Sequence, residues 1–493
     1  ESSCDETAAS IITENDQGNP MILSNVISSQ VDVHKEFGGV VPELAARSHL
    51  EKIDWIVKKA INDSGRKLSD IDAIALITDN IVFAENENYR DLDLGLPCKT
   101  YAVDHHWAHV LSTWMLGDIP KVNYVFDGFG NNDRSHSLYL NGKLKSSHSV
   151  KKTGSIGVEM AYVGKTCGFT ADEWGLDLAG KVMGLQSYGM NEPNYYNLMD
   201  QYSIEEIKQI WNYDSWIRKW DNEFDINWLR TVHEITGDKL VEYMTRTGDG
   251  PITYTGGVAQ NSVFNGKLHE SGIDVRIPPH ANDCGLSLGA LEFLRQKFHE
   301  EPFDTTGFPF WQDDEAPEEP SDKTITEAAE SLAQGKIVGW YQGHGEIGPR
   351  ALGHRSILVN PRLPNAKNEL NSKVKHREHF RPFGAAVLLE DTQKYFEFKG
   401  KSPYMNTCAY VHDEELLSVT HVDGSSRIQT VEGDDSFAKL LRKYKELTGD
   451  SVLLNTSLNM GGKPIASKMW EAKELFSKKG IEEMYIGNDK LSK

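Results

Sequence analysis

Cysteine is scarce in this sequence. Five are spread over 493 residues, at Cys4, Cys98, Cys167, Cys284 and Cys408. An odd count without close pairing argues against a disulfide framework and against a structural zinc cluster. It points to a reducing compartment, and the expected location is the cytoplasm. Long hydrophobic runs are also missing. None approaches the roughly 18 residues that would cross a bilayer as a helix, and no secretory signal is visible. Positive charge is in deficit: 52 Lys and Arg stand against 73 Asp and Glu, a net charge of −21. That balance repels a phosphate backbone, so neither nucleic acid nor a membrane is an expected partner. Small anions respond to local arginines and stay open as ligands. The sequence opens at Glu1 rather than Met, and a segment preceding this numbering is expected.

What is present reads as α/β, with length for two or three domains and a large core. Residues 7–13 are β-compatible, 15–20 form a turn, and 21–28 resume extended structure. A similar unit returns at 124–150, with an Asn141-Gly142 hairpin turn inside it. Two hairpin units, each followed by helical sequence such as 42–64, suggest a duplicated architecture. Residues 191–243 are rich in Trp, Tyr, Glu and Lys at helical spacing; they read as an inserted helical layer whose aromatics belong to a core. Residues 252–258 form a strand ending in a double glycine, 259–269 a helix, and 285–298 another helix capped by Asn282 or Asp283. The stretch 302–322 carries Pro302, Pro309, Pro317 and Pro320 around an acidic run, and reads as a domain linker. A helix at 325–334, a strand at 337–341 and a second α/β domain running to Lys493 follow.

Two histidines stand four apart in the run 103–111, which reads as an amphipathic helix. At that spacing His105 and His109 share a face and can reach one metal ion. Taken alone, the pattern more often belongs to an ordinary helix. His106 is turned about 100° away around the helix and reads as structural. A carboxylate opposite the pair would complete a two-histidine, one-carboxylate set suited to iron(II). Asp283, just ahead of a glycine-starting helix, is the candidate, although helix capping is the commoner role at such a position. Gly256 and Gly257 open a helix with backbone N–H groups suited to a nucleotide phosphate, and Asn261 ends the same run. Asp5, Asp127 and Gly128 occupy strand-to-turn positions of the kind that hold metal-phosphate loops.

Beyond the acidic stretch, residues 343–348 match GxGxxG after a strand. Pro349 follows at once, and Leu363 stands where a ribose-binding acid belongs, so a dinucleotide fold is not expected. The neighbouring cations carry more. Arg350, Arg355, Lys375, Arg377 and Arg381 are concentrated within 348–383 of an otherwise acidic chain. Guanidinium forks bind phosphate and carboxylate oxygens in bidentate fashion. Such runs are usually solvated faces, but small and apolar residues interleave here as a pocket wall requires. Arg427, in a small-residue turn, and Asn455 and Ser457, on a strand feeding a glycine-rich loop, suit the same pocket; ordinary turn chemistry explains each equally well alone.

Several blocks stand in a telling order: Glu-Ser-Ser-Cys-Asp-Glu-Thr-Ala-Ala at 1–9, residues 34–43, the His105/His109 pair, 180–184, 256–261, Asp283, Gly-Pro-Arg-Ala-Leu-Gly at 348–353, 373–383 and 455–457. In these the sequence resembles the O-carbamoyltransferases of the antibiotic and nodulation-factor type. That family joins a domain like the transfer subunit of tRNA threonylcarbamoylation to a YrdC-like domain. The resemblance implies a duplicated actin-like ATPase fold over 1–301, with the 191–243 insertion, then the linker 302–322 and a YrdC-like domain over 323–493. It implies that carbamoyl phosphate and ATP, with Mg2+, give carbamoyl-adenylate in the second domain. Arg350, Lys375, Arg381, Arg427, Asn455 and Ser457 would hold carbamoyl phosphate there, with Lys375 and Arg350 catalytic. In the first domain, His105, His109 and Asp283 would be catalytic and bind Fe2+ or another divalent metal. Asp5, Lys35, Asp127, Gly128, Gly256, Gly257 and Asn261 would contact the nucleotide. The carbamoyl group would pass to a hydroxyl of a small-molecule acceptor. The opening motif lies closer to the tRNA threonylcarbamoylation branch, so a tRNA-modifying enzyme is the alternative; a non-catalytic nucleotide-binding regulator is another. The acceptor is not legible, and for the oligomer a closed homodimer is the default.

Overall fold

β-Branched residues such as Ile11, Ile12, Ile22, Val26 and Ile27 favour extended backbone in the first hairpin. Strands β1 (Glu6–Glu14) and β2 (Pro20–Ser29) pair antiparallel. Val26 on β2 packs against Ile56 and Ala60, one turn apart on helix α1 (Pro42–Asp63). These elements belong to a computed structural model that describes residues 6–14, 20–29, 42–78, 81–169, 178–216, 224–248, 250–298, 301–312, 315–460, 463–478 and 480–493. The chain divides into two compact units, Glu1–Phe308 and Pro309–Lys493, and both are α/β with mixed sheets. Asp5 and Lys35 lie outside the described residues. Among the described residues, no helix is long and apolar enough to cross a membrane.

In the first unit, β3 (Ala73–Leu76), β4 (Tyr89–Leu92) and β5 (Lys99–Val103) form a sheet of order β3-β5-β4, and β5 runs almost directly into α2 (His105–Leu111). A second sheet is built from β6 (Val122–Phe126), β7 (Arg134–Leu140) and β8 (Lys143–Ser149), antiparallel in sequence. The β7–β8 turn places Asn141 and Gly142 at φ 51 and 74, the two left-handed positions that Asn-Gly tolerates. Beyond α3 (Ile156–Thr166) and the long α4 (Ile226–Thr245), β9 (Ile252–Thr255) joins parallel to β6, and β10 (Val275–Arg276) parallel to β9. Trp211 and Trp228 are fully buried and meet edge-on at 6.4 Å, so this aromatic-rich stretch is core.

Two helices differ from the sequence reading. The run 259–269 is broken: a 3-10 turn at Gly257–Gln260 precedes α5 (Ser262–Glu270). Asn261 causes the break, because its Oδ1 accepts the Val263 and Phe264 N–H groups and so starts a fresh helix. The helix near 285 begins as a 3-10 turn at Asp283–Gly285 and becomes α6 at Leu286–Phe298, with no side-chain cap from Asn282. Within 302–322, which reads in the sequence as a domain linker, aromatic residues make ring contacts. Phe303 stacks on Trp114 at 4.2 Å within the first unit. Phe310 stacks on His354 at 3.5 Å and Tyr341 donates its hydroxyl to the Glu315 carbonyl within the second.

The second unit holds an eight-stranded mixed sheet. Its strands are β11 (Val338–Tyr341), β12 (Arg355–Val359), β13 (Gly384–Leu388), β14 (Thr407–Tyr410), β15 (Ser425–Val431), β16 (Val452–Ser457), β17 (Glu483–Ile486) and β18 (Asp489–Ser492). Their order is β14-β15-β13-β16-β12-β11-β17-β18. Helices α7 (Asp322–Ala333) and α8 (Ser436–Thr448) cover the face bearing Leu358, Ala386 and Leu453. Ile357, Ala385, Ile428 and Leu454 fill the other face, so the central strands carry buried apolar residues on both sides.

A carboxylate tightens this sheet at β17. Burial opposes charge on Glu483, but bonds from Lys336, Ser331, Lys490 and Tyr485 outweigh it and lower its pKa from 4.5 to about 2. A depressed carboxyl contributes stability above its unfolded value and loses it as pH falls toward the folded one. Urea unfolding should therefore show wild-type stability falling between pH 4.5 and about 2 more steeply than in Glu483→Gln. At neutral pH that variant should be weaker by about 2 kcal/mol.

Candidate functional site

The α2 helix is short, and its position is set by bonds at its start. Asp104 leaves β5 in extended conformation and its Oδ1 accepts the Trp107 N–H at 3.0 Å, capping the helix. Arg134 donates to the other oxygen at 2.8 Å, and the Tyr139 hydroxyl donates to Oδ1 at 3.1 Å. Burial still raises the Asp104 carboxyl above its ordinary range, with Arg134 opposing. Asn131 Oδ1 accepts the His105 N–H at 2.8 Å, while its amide donates to the carbonyls of Thr78 and Ile81. On the opposite side Gly289 of α6 lies against α2 so closely that a Cβ there would sit 2.0 Å from the Ala108 carbonyl oxygen. That approach brings Asp283, at the head of α6, to the histidine face.

Four buried side chains converge there: His105, His109, Asp127 and Asp283, with one donor atom each and all within 4.8 Å of one another. His105 Nε2 lies 3.1 Å from Asp127 Oδ2 and 3.5 Å from Asp283 Oδ1. The corresponding distances from His109 Nε2 are 3.2 and 3.3 Å. Burial disfavours a charged His109, but Asp127 and Asp283 override it and raise its pKa. Burial also works against an ionised Asp127, yet bonds from His105 and His109 hold it well below the usual carboxylate range. Two buried carboxylates this close repel unless a cation lies between them. Two imidazoles and two carboxylates neutralise a divalent ion, so the donor set fits a divalent metal, with one carboxylate more than the sequence suggested.

Asp127 joins this set of donor atoms, although its place in the sequence suggests a nucleotide-loop residue. The available signal was a lone acid ending the apolar run Tyr-Val-Phe, with glycine next. Its Oδ1 accepts the N–H of Gly128 at 2.8 Å and of Gly257 at 2.9 Å, leaving Oδ2 for the histidines. Gly256 has φ 90, and a Cβ on it would meet the Phe126 carbonyl oxygen at 2.1 Å, so β9 can close on β6 only through glycine. The double glycine therefore braces the Asp127 carboxylate. Asn261 caps α5, and its amide nitrogen lies 3.1 Å from His233 Nε2. His106 meets Ser137 Oγ at 2.7 Å, and burial followed by His105 holds its pKa well below normal. It stands apart from the four donors, as its rotation around the helix implied.

In the second unit, Gly384 of β13 pairs in register with Arg427 of β15 and with Asn455 of β16, so the three share one face. Asn455 donates to Gln429 Oε1 at 2.9 Å and to the Ala351 carbonyl at 3.2 Å. Its Oδ1 is buried and has no hydrogen-bond partner among the described residues. Lys375 ends a π-helical turn, Leu370–Lys375, and donates to Asn459 Oδ1 at 2.6 Å and Ser457 Oγ at 3.1 Å. Burial, then Arg377 and Arg381, push its ammonium well below the normal pKa. Burial and Arg381 lower the Arg427 guanidinium likewise. Arg381 meets Glu378 at 3.9 Å. An anion would relieve such crowding among cations.

Arg350 is half-buried on the loop between β11 and β12. Glu346 pins that loop, its Oε1 accepting the N–H groups of Leu352 at 2.7 Å and His354 at 2.8 Å. Two other cations of the basic block are structural. Arg355 lies 3.6 Å from the Tyr341 ring centre and donates to the Gly343 and Glu315 carbonyls. Arg377 rests on Phe383 and donates to Asn371 Oδ1 at 2.8 Å.

Comparison with known proteins places these features. Residues 97–291 match the family model "Carbamoyltransferase N-terminus" and 329–493 match "Carbamoyltransferase C-terminus". Residues 21–78 match the model for tRNA N6-adenosine threonylcarbamoyltransferase. Nodulation protein NolNO of Sinorhizobium fredii is 28% identical over 510 residues, spanning 89% of this chain and 74% of that one. A tRNA N6-adenosine threonylcarbamoyltransferase of Pelagibacter ubique is 79% identical over 345 residues, spanning 63% and 93%. The 3'-hydroxymethylcephem-O-carbamoyltransferase of Amycolatopsis lactamdurans is 33% identical over 250 residues, 48% of each chain. With both halves of one family matched in order along it, the chain belongs to the carbamoyltransferase family and is a transferase of carbamoyl groups.

Proposed function

We propose that the protein is an ATP-dependent O-carbamoyltransferase with two sites. The observation that carries this reading is the buried four-donor centre in one unit of a carbamoyltransferase, with the crowded cations of the other unit as the matching half. The first unit is read as an actin-like ATPase fold and the second as a YrdC-like domain, on the resemblance of the sequence and their mixed sheets.

In the second unit, Lys375, Arg381 and Arg427 would neutralise carbamoyl phosphate, with Arg350 presented by its loop and Ser457 and Asn455 donating or accepting at the carbamoyl end. Water releases phosphate and leaves carbamate. A carbamate oxygen then attacks the α-phosphorus of Mg2+-bound ATP; the new O–P bond forms as the bond to the β-phosphate breaks, and pyrophosphate leaves. In the first unit a hydroxyl of a small acceptor attacks the carbamoyl carbon, AMP leaves, and the hydroxyl proton passes to a carboxylate of the site. A divalent metal, iron(II) or a substitute, held by His105, His109, Asp127 and Asp283 would supply Lewis acidity toward the carbonyl. The histidines and carboxylates would themselves orient the carbonyl and exclude water from it.

A second reading, in which tRNA is the acceptor, is favoured by the match of residues 21–78 and by the Pelagibacter relative. The net charge of −21 opposes it. Tight, salt-sensitive tRNA binding in a gel shift, with dependence on threonine and bicarbonate, would select that reading.

With no other source of carbamate present, pyrophosphate release from ATP should require carbamoyl phosphate; release indifferent to it would overturn the proposal. Lys375→Ala should cut this half-reaction by about 100-fold or more with the fold intact by circular dichroism. His109→Ala and Asp127→Ala should each lose the divalent ion bound after anaerobic iron loading, measured by elemental analysis. Both should abolish transfer while sparing pyrophosphate release.

A further inference from the structure

The space between Arg427 and Asn455 is occupied. These residues flank Gly384 on adjacent strands, and side chains in register project from one face. With strands about 4.8 Å apart, their backbones stand roughly 9–10 Å from each other. A Cβ built on Gly384 would lie 2.4 Å from Met405 Sδ and 3.2 Å from its Cε. The thioether therefore sits where a side chain of Gly384 would be, on the face shared by the guanidinium and the amide.

Met405 is held there against its own backbone preference. Its φ is 53, in the left-handed region that disfavours residues with a Cβ, and it is 2% exposed. Strain of this kind persists where the surrounding structure over-determines a side chain, and it is a pointer to function. Gly384 and Met405 depend on each other: any side chain at 384 would collide with the thioether. Beside them, the buried Asn455 Oδ1 lacks a partner among the described residues. It is an acceptor suited to the N–H groups of an unsubstituted carbamoyl nitrogen.

We propose that Met405 determines selectivity in the second unit. Its thioether closes the space next to Asn455, so that a carbamoyl group with an unsubstituted nitrogen is admitted and one bearing a carbon substituent on nitrogen is refused. Each extra methyl or methylene in an apolar pocket is worth roughly 10–200-fold in discrimination, within reach of one methionine. The proposal rests on reading this unit as the adenylate-forming site.

ATP–pyrophosphate exchange tests it in the full chain. Two acids are compared: carbamate, from ammonium and bicarbonate, and N-methylcarbamate, from methylamine and bicarbonate. Wild type should exchange with carbamate and barely with N-methylcarbamate. Met405→Gly removes the side chain and suits the left-handed backbone; it should raise the N-methylcarbamate to carbamate ratio by about tenfold or more. Met405→Ala is a second truncation should the first not fold, and Met405→Leu, of similar bulk, should keep the ratio low. Persistent carbamate exchange with an unchanged ratio in the truncations overturns the role of Met405 alone. Absence of carbamate exchange in wild type overturns the reading of the unit, and this proposal with it.

Discussion

The Asp127 carboxylate divides its two oxygens between tasks that must not be exchanged. Oδ1 takes backbone N–H groups from Gly128 and Gly257. Oδ2 faces His105 and His109 at 3.1 and 3.2 Å. A buried carboxylate left to itself would take up a proton. Here the backbone bonds and the imidazoles keep it ionised and aimed. Every neighbouring element serves this arrangement. β9 closes on β6 through Gly256, α2 is capped by Asp104, and α6 reaches α2 through Gly289 to deliver Asp283. The donors thus arrive at one point from separate segments of chain, and only the two histidines are local to each other.

The second unit meets the opposite electrostatic problem with a different solution. Its cations are brought together, and Lys375 is given neutral oxygens, from Ser457 and Asn459, in place of a carboxylate. An ammonium so treated is under-compensated, and its depressed pKa records that cost. The site is thereby poised for an anion in the way the first is poised for a cation. Crowded cations in one unit and paired carboxylates in the other are inverse charge problems, and the proposed reaction would use both.

Much of this was legible in residues alone. The Asn141-Gly142 hairpin, the shared face of His105 and His109, and the basic block after residue 348 all follow from local periodicity or composition. The division of labour inside that block was not legible. Arg355 and Arg381 look alike in sequence, yet one is spent on backbone carbonyls and a tyrosine ring while the other joins Lys375 and Arg427. The double glycine at 256–257 reads as a phosphate loop, and the structure shows that it also lets two strands touch and holds Asp127. Asn261 is a nucleotide contact by the family resemblance, and the structure shows that its side chain also caps α5. The phenylalanines of 302–310 were hidden by the prolines and acids around them.

Sequence by itself determined the α/β class, the helical face that carries two imidazoles, the local surplus of cations and the family, because each of these is encoded in spacing, composition or ordered motifs. Tertiary structure alone decided that Asp127 joins the histidines and Asp283, and that Met405 lies over Gly384. Those facts depend on which segments far apart in the chain approach within a few ångströms. Such approaches are set by packing across strands and helices, which no local pattern records.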